Sequence, residues 1–414
     1  MRILYITTDY PGFSECLFQG ADYPYGLPSF NKVLIGLVER GHEVNYVLIH
    51  NKKPFPEYNI KSKWFKKSDI KETLYTGNTR LSSLKFKINL ISVVNKLLKT
   101  GNYDFVYAHG TAGAISVIPA KWNKTPYAQR LYGTFLWESI LHKGKMRTLL
   151  NNISEYLIYK TPKKFLLVTN DGSRGDLVFN SIWKNKKAPY QFFYWINGVD
   201  KLNNISLEEI NEFNNSLSES KPFIFYCARF DPWKRQDRVI RIIHKLKQKG
   251  YVVNAYFAGP TKLYDNSTTY YEEILELAKK LQVEDQVRFM GNIDARSISI
   301  MNKLSICSMV LHDTCNMTNV FHESLASGAV VIAKEDGVVN DFIRNGENGF
   351  LVSSTDEENM LVEDVVNIVK YLIENPKEST AIRKNAINTS NDKMLSWDSR
   401  IENEISLLEK YKNK

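Results

Sequence analysis

Short apolar runs alternate with amphipathic stretches along most of the chain. In the first half, buried strands are predicted at residues 2–6, 43–49, 104–108, 126–131, 165–169 and 192–196. A helix with one apolar face is predicted at Pro28–Arg40, where Gly41 ends it. Strands that alternate with helices in this way predict a parallel sheet with helices on both faces.

The same rhythm restarts after a polar segment, residues 201–221, which is predicted to be a linker or a surface helix. Further strands are predicted at residues 223–227, 252–258, 287–290, 306–310, 329–333 and 349–352, and helices at 237–247, 275–281 and 365–372. An amphipathic helix is predicted at Trp397–Tyr411. The pattern therefore predicts two doubly wound α/β domains in tandem, closed by a terminal helix.

Length and composition agree with a folded protein of this kind. The chain has 414 residues, of which 43% are hydrophobic and 24% are charged, enough for two domains with separate cores. Its four cysteines are scattered without metal-ligand spacing, which favours reduced thiols. The first apolar run is too short for a signal peptide, and none approaches the roughly 20 residues that span a bilayer. We therefore expect a cytoplasmic protein.

Positive charge is concentrated in the first half. Residues 1–200 hold 28 Lys and Arg against 14 Asp and Glu, and residues 51–100 alone hold 12 against 3. This stretch contains Lys61–Lys67, with Trp64 and Phe65 among the lysines, and a predicted amphipathic helix at Leu84–Leu98. Such a stretch suits an anionic membrane surface, and a solvated basic face is the alternative. No nucleic-acid-binding module accompanies the charge.

The stretch Leu311–Gly328 combines a polar loop with a short helix after a predicted strand. A strand, a loop and a helix N-terminus form the usual anion site of open α/β sheets. Glu323, one turn into the helix, has two carboxylate oxygens that suit the hydroxyls of a ribose, although a surface ion pair is an alternative. The amides of residues 316–319 suit sugar or phosphate oxygens, but Asn316 or Thr318 can equally be an ordinary N-cap.

A second candidate is the segment from Arg229 to Lys234, which leaves a predicted strand and enters a helix. Two cations five residues apart suit a diphosphate, whose charge grows as the bond to it breaks. Pairing with Asp231 and Asp237 is the alternative. His109, at a strand end, either meets a substrate or is structural. Neither a dinucleotide-binding Gly-x-Gly-x-x-Gly after the first strand nor a Walker loop is present, and no Cys/His cluster suggests a metal.

Five motifs in register resemble those of the family-4 retaining glycosyltransferases, in particular bacterial polysaccharide-biosynthesis members. They are residues 40–44 (RGHEV), 197–200 (NGVD), 228–234 (ARFDPWK), 345–352 (NGENGFLV) and the helix of Glu323. The resemblance implies the GT-B fold, with two Rossmann-like domains. Residues 1–200 with the terminal helix at 397–414 would form the acceptor-side domain, and residues 201–396 would bind the nucleotide-sugar.

The resemblance also implies roles for particular residues. Arg229 and Lys234 would be catalytic, by stabilising the donor diphosphate, and Glu323 would bind the ribose. The other donor-binding residues would be Gly26, Tyr132, Met290, Gly291, Asp313, Cys315, Asn316, Met317, Thr318 and Asn319. The chain departs from the family pattern at Cys315, where a Glu is common, and at Tyr132, where a His precedes the Gly.

The function so implied is retaining transfer of a hexosyl or N-acetylhexosaminyl group in cell-surface polysaccharide synthesis. The donor would be a nucleotide-diphosphate sugar, UDP-linked, and the acceptor a glycan or a lipid-linked molecule at the inner face of the membrane. No cofactor and no metal would be required. The alternative is a non-catalytic GT-B subunit that binds a partner or a nucleotide-sugar without turnover, and a nucleotide-sugar epimerase is a weaker third reading.

Overall fold

A computed structural model describes residues 1–51, 53–77, 79–184, 186–202, 204–217, 221–261, 268–353 and 357–412. The chain divides into two compact units, each with its own parallel sheet. Unit 1 comprises Met1–Gly198 and Trp397–Lys414, and unit 2 comprises Val199–Ser396. Parts of two predicted segments, 201–221 and 397–414, lie outside the described residues.

The sheet of unit 1 has seven parallel strands in the order β3-β2-β1-β4-β5-β6-β7. They are β1 (Arg2–Thr8), β2 (Glu43–His50), β3 (Ile70–Tyr75), β4 (Phe105–His109), β5 (Tyr127–Leu131), β6 (Phe165–Thr169) and β7 (Gln191–Trp195). The strand order reverses between β1 and β4. The sheet is covered on both sides. Successive residues of β1 therefore belong to different cores, with Tyr5 on one face and Ile6 on the other.

In the described part of unit 1, α-helices connect these strands. They are α1 (Phe13–Phe18), α2 (Pro28–Glu39), α3 (Arg80–Thr100), α4 (Val117–Trp122), α5 (Leu136–Lys143), α6 (Lys145–Asn151), α7 (Ile153–Lys160) and α8 (Gly175–Trp183). Helices α1 and α2 pack on the face of Tyr5, whereas α3 and α4 pack on the face of Ile6.

Unit 2 repeats the design with six parallel strands in the order β10-β9-β8-β11-β12-β13. They are β8 (Phe223–Cys227), β9 (Asn254–Ala258), β10 (Val287–Gly291), β11 (Cys307–Val310), β12 (Val331–Lys334) and β13 (Phe350–Val352). Its helices are α9 (Leu207–Ser216), α10 (Gln236–Gln248), α11 (Thr269–Lys280), α12 (Ala295–Leu304), α13 (Asn319–Ala326), α14 (Glu358–Glu374) and α15 (Pro376–Lys393). The predicted pair of doubly wound α/β sheets is therefore confirmed.

The last helix, α16 (Trp397–Lys412), packs in unit 1, against α2. Gly36 of α2 permits this close packing, because a Cβ atom there would lie 2.5 Å from the Cγ2 of Ile401. Gly198 has a similar role, since its Cβ would lie 2.7 Å from the Cα of Trp397. The glycines thus let α16 lie directly against the rest of unit 1.

A buried ion cluster joins α16 to the sheet. Glu404 lies on the same face of the helix as its apolar residues and is fully buried. Its carboxylate accepts hydrogen bonds from the hydroxyl of Tyr107 at 2.7 Å and from Nη1 of Arg400 at 3.0 Å, and it lies 3.5 Å from Nε of Arg130. Because buried charges are costly unless paired, this cluster makes unit 1 depend on α16.

The basic stretch 51–100 differs in part from the expectation. The predicted helix is present as α3, but the aromatic residues of Lys61–Lys67 face the protein. Phe65 is buried against Phe13, with ring centroids 5.1 Å apart, and Trp64 donates a hydrogen bond from Nε1 to Glu39 at 3.0 Å. Phe65 is therefore not exposed to a membrane, and the membrane contact of residues 51–100 stays a prediction. Residues 52 and 78 lie outside the described part of the chain.

Candidate functional site

The carboxyl edge of the unit 2 sheet brings the two candidate segments together. The strand order reverses between β8 and β11, and ligands of open α/β sheets bind at such a reversal. The loop after β8 carries Arg229 and Lys234, and the loop after β11 carries residues 311–318. The loops touch directly, because the amide of Asp313 donates a hydrogen bond to the carbonyl of Trp233 at 3.0 Å.

Buried polar groups hold the loop after β8 in shape. The hydroxyl of Tyr226 donates to the carbonyl of Lys234, and the side-chain amide of Gln236 donates to the carbonyl of Arg229 at 2.9 Å. Arg235 then adopts a left-handed conformation, with φ of 57°, and helix α10 begins. A short turn and a strained residue thus fix the position of the Lys234 backbone.

The ammonium of Lys234 lies against an aromatic ring and a neutral histidine. Its Nζ is 3.8 Å from the centroid of the Trp233 ring and 3.3 Å from Nδ1 of His312. Burial, together with the charge of Lys234, lowers the pKa of His312 well below its usual value. A neutral His312 can accept a hydrogen bond from Lys234 through Nδ1.

The alternative to a diphosphate site, in which the cations of this segment pair with Asp231 and Asp237, is found only in part. Arg229 pairs with Asp231 at 3.0 Å, as that alternative predicts. Asp237, however, pairs with Arg235 at 2.9 Å. Although burial opposes it, Arg235 holds the pKa of Asp237 below its usual range.

Glu323 and Lys234 both act on the thiol of Cys227, at the end of β8. Burial raises the pKa of Cys227 to about 12; the carboxylate of Glu323 adds to the rise and the ammonium of Lys234 opposes it. Glu323 lies in the first half of helix α13. The structure therefore places an anion and a cation from the two predicted segments around one point of the sheet edge.

The loop before α13 uses several predicted donor-binding side chains to hold its own shape. Asn316 is buried, and its side chain accepts from the amide of His312 at 3.0 Å while it donates to the carbonyl of the same residue at 3.3 Å. Met317 is buried and lies 3.1 Å from Nε2 of His322. Thr318 is the N-cap of α13 and accepts from the amide of Phe321.

The remaining predicted residues of unit 2 lie close by or on neighbouring strands. Cys315 has a left-handed backbone with φ of 57°, and Asn319 is the first residue of α13. Met290 and Gly291 end β10, where the carbonyl of Gly291 accepts from the amide of Gly259 at 2.8 Å. Strand β10 lies beyond β9, at the side of the sheet away from α13.

Two of the predicted residues of unit 1, His109 and Tyr132, lie together at the carboxyl edge of that sheet. Nδ1 of His109 lies 2.7 Å from the hydroxyl of Tyr132, and the His109 ring stacks on Tyr5 at 4.3 Å. Burial and the charge of Arg130 lower the pKa of His109 well below its usual value. Gly26 is left-handed, with φ of 99°, and its carbonyl accepts from Asn31 at 3.3 Å.

Part of the chain is similar in sequence to known proteins. Residues 208–389 match the model of the family described as glycosyl transferases group 1. A trehalose synthase from Pyrococcus horikoshii is 29% identical over 187 residues, which are 42% of this chain and 42% of that protein. One from Thermococcus litoralis is 26% identical over 201 residues, which are 44% and 46% of the two proteins. The matched region thus spans less than half the length of these curated relatives.

Solved structures are similar over nearly the whole chain. Sucrose-phosphate synthase from Thermosynechococcus elongatus gives a TM-score of 0.73 at 14% identity, covering 99% of this chain and 98% of that one. HepE from Anabaena, in complex with UDP-glucose, gives a TM-score of 0.68 at 18% identity, covering 98% and 99%. The chain has the GT-B fold.

Within this GT-B fold, one ionic network of unit 2 was not predicted. Arg238 is buried and binds Glu358 through Nε at 2.8 Å and Asp313 through Nη2 at 3.0 Å. Arg235 also pairs with Asp313, at 2.9 Å. The network therefore ties the loop after β11 to the start of α10 and to α14. The sequence gives one signal for it: the amphipathic helix α10 has one arginine at its N-cap and another in its first turn.

Among the described residues, no group of three or more His, Cys, Asp or Glu side chains is placed to hold a metal ion. Likewise, no helix in the described ranges is long and apolar enough to cross a membrane.

Proposed function

We propose that the chain is a retaining glycosyltransferase that moves a hexosyl or N-acetylhexosaminyl group from a UDP-sugar to a glycan or lipid-linked acceptor. The reaction would serve cell-surface polysaccharide synthesis at the cytoplasmic side of the membrane. Unit 2 would bind the nucleotide-sugar and unit 1 the acceptor. The observation that carries the proposal is that Lys234 and Glu323 both act electrostatically on the Cys227 thiol, at the strand reversal of unit 2 and inside the region that matches glycosyl transferases group 1.

The chemistry of these two groups suits the two ends of a nucleoside diphosphate. An ammonium stabilises the negative charge that grows on the diphosphate as the bond from the sugar carbon to its oxygen breaks. A carboxylate accepts hydrogen bonds from both ribose hydroxyls. HepE, whose structure contains UDP-glucose, supports a UDP-linked donor by analogy.

Retention of configuration requires that the acceptor attack from the side that the diphosphate leaves. In the proposed step the acceptor oxygen bonds to the anomeric carbon, the bond from this carbon to the diphosphate breaks, and a diphosphate oxygen takes the acceptor's proton. Arg229, Lys234 and the amides at the start of α13 would stabilise the leaving group. The step needs no protein nucleophile, cofactor or metal.

A thermal-shift screen over UDP-sugars, followed by measurement of UDP release, tests the proposal. A ligand at 100 times its dissociation constant adds about 2.7 kcal/mol to the free energy of unfolding, which a shift in Tm detects. We expect stabilisation by at least one UDP-sugar and release of UDP from it. Stabilisation by no nucleotide-sugar would refute the donor assignment.

The second candidate is a non-catalytic GT-B subunit that binds a nucleotide-sugar or a partner without turnover. Two observations favour it. Cys315 occupies the position at which the family resemblance implies a glutamate. Tyr132 occupies the position at which it implies a histidine, and its hydroxyl contacts His109. Stabilisation by a UDP-sugar without release of UDP, with or without added acceptor, would support this alternative. Free sugars belong in the acceptor screen, because the relatives include trehalose synthases.

A further inference from the structure

Helices α6 and α7 carry an apolar stripe on the outside of unit 1. The stripe consists of Met146, Leu150, Ile153 and Leu157, which are 77%, 67%, 49% and 45% exposed. Two of them lie four residues apart on α6 and two lie four residues apart on α7, so each pair shares one face of its helix. The two helices meet at Asn152, whose backbone is not helical (φ −116°, ψ 40°); its amide donates to Thr148 at 2.9 Å and its carbonyl accepts from Tyr156 at 3.0 Å. Each helix therefore exposes one half of the stripe.

This stripe is additional to the face that packs in the core. Ile158 and Tyr159 of α7 are buried in unit 1, as is Thr148 of α6. A surface helix ordinarily directs its apolar stripe inward, and contiguous exposed apolar residues mark an interaction site. Leu141 of α5, 66% exposed, adds to the same connection between β5 and β6.

The charges around the stripe define its partner. Between Glu138 and Glu155 the chain carries three cations, Lys143, Lys145 and Arg147, and no carboxylate. Residues 1–200 carry twice as many basic as acidic residues, 28 against 14. Apolar side chains interspersed with cations complement a bilayer with anionic headgroups. A second copy of the chain would bring the same positive charge to the contact, which disfavours self-association there.

Helix α3 extends this surface on the same side of the sheet. Its first turns expose Leu81, Leu84 and Ile88. Helix α3 packs over Leu4 and Ile6, and α7 packs over Leu166 and Val168, which are alternate residues of β1 and β6 on one face of the sheet. Both connections follow the carboxyl ends of parallel strands, β3 and β5. The two exposed apolar groups therefore lie on one face of the sheet.

We infer that this surface, Met146, Leu150, Ile153 and Leu157 with Lys143 and Arg147, lies on an anionic lipid bilayer. The apolar side chains enter the boundary of the acyl region, while the two cations reach headgroup phosphates. The inference goes beyond the proposed function, since it requires neither donor binding nor transfer. The proposed membrane contact is thus this surface and not the aromatic residues of Lys61–Lys67, which pack against the protein.

Co-sedimentation of the full chain with lipid vesicles tests the inference. Vesicles of phosphatidylcholine alone and of phosphatidylcholine with phosphatidylglycerol are compared at 50 mM and 500 mM salt. We expect binding to the anionic vesicles, weakened at high salt. The double substitution Met146→Ser and Leu150→Ser should weaken it about tenfold or more. The pair Lys143→Gln and Arg147→Gln should lose about fivefold for each cation.

The matched control is the pair Leu207→Ser and Met360→Ser, two exposed apolar residues of unit 2, which should bind as the wild type does. Circular dichroism and Tm confirm that each variant folds, and light scattering reports self-association. No binding to anionic vesicles, or equal binding by the wild type and both stripe variants, overturns the inference. So does a dimer that only the stripe substitutions dissociate. Donor-induced thermal shifts, measured on the same variants, report separately on the proposed function.

Discussion

The carboxyl edges of the two sheets occupy equivalent places in two similar topologies, yet their chemistry is opposite. In unit 2, the charges of Lys234 and Asp313 lie in the segments that follow the strands, and that of Glu323 lies in helix α13. In unit 1, the charges of Arg130 and Glu404 lie inside the core, near His109 and Tyr132. The first set lies around the sheet edge that is proposed to bind the donor, whereas the second holds the terminal helix.

This difference follows from where each charge finds its partner. In unit 2 the partners come from loops close to the sheet edge, as with Asp313 and Arg235. In unit 1 the carboxylate that pairs with Arg130 is that of Glu404, on helix α16. Glu404 also accepts a hydrogen bond from Tyr107, which lies 297 residues earlier in the chain. A doubly wound sheet can therefore use the same edge for binding or for assembly, according to which element supplies the counter-charge.

Removal of the buried carboxylate in unit 1 is the strongest test of this comparison. Glu404→Gln would leave Arg130 and Arg400 buried without their anion, which costs about 3–5 kcal/mol of the free energy of unfolding. Urea denaturation measures the loss. The control Glu402→Gln, on the same helix, breaks the exposed pair with Arg40 and should cost less than about 1 kcal/mol. Equal costs for the two variants would contradict the assembly role.

Acidification tests the buried histidines. Burial lowers the pKa of His322 to about 4, so the unfolded chain takes up its proton first. The stability from neutral His322 is present above about pH 6.5 and is lost as the pH falls toward 4, by about 3 kcal/mol in total. Urea midpoints of unit 2 at pH 7 and pH 4.5 report it. His322→Leu should reduce this dependence, whereas substitution of the exposed His142 by Gln should not.

Lys234→Ala tests the binding edge of unit 2. If the ammonium stabilises the leaving diphosphate, the variant should lose about 100-fold or more in turnover, which is about 2.7 kcal/mol of the barrier. UDP release measures it. Lys245→Ala, which removes a surface pair with Glu363 on α14, is the control and should keep its rate. Near wild-type turnover by Lys234→Ala would sink the catalytic assignment.

The smallest effect concerns the start of α13. Thr318→Ala removes the N-cap and should cost about 1 kcal/mol of the free energy of unfolding of unit 2. Thr318→Ser keeps the capping oxygen and should restore most of it. If both substitutions leave urea unfolding unchanged, the cap is not what orders this loop.

Most strands could be predicted, because parallel strands buried on both faces form short apolar runs. Strand β3 and helix α15 are among the elements that were not predicted. Strand β3 lies at the edge of its sheet and mixes charged and apolar residues, so it lacks such a run. Helix α15 is mostly polar, and its buried positions include Thr389 and Ser390 as well as Ile382. In both elements, tertiary contacts decide what local pattern does not.

The candidate site was predictable where its parts are close in sequence. The loops of Lys234 and Glu323 follow predicted strands, and topology brings them to one edge. The partnership of Arg238 with Glu358 spans 120 residues, so no spacing indicates it. The burial of Glu404, by contrast, is indicated by the sequence, because Glu404 interrupts an apolar helix face that contains Ile401, Ile405 and Leu408.

The return of α16 to unit 1 has a consequence for synthesis on the ribosome. Every strand of unit 1 has emerged long before Glu404 is translated, and all of unit 2 is made in between. Until then, the nascent sheet must bury Arg130 without a carboxylate or leave that core open to water. Unit 2 is contiguous from Val199 to Ser396 and therefore needs no later segment. Synthesis of unit 1 thus starts before that of unit 2 but is completed after it.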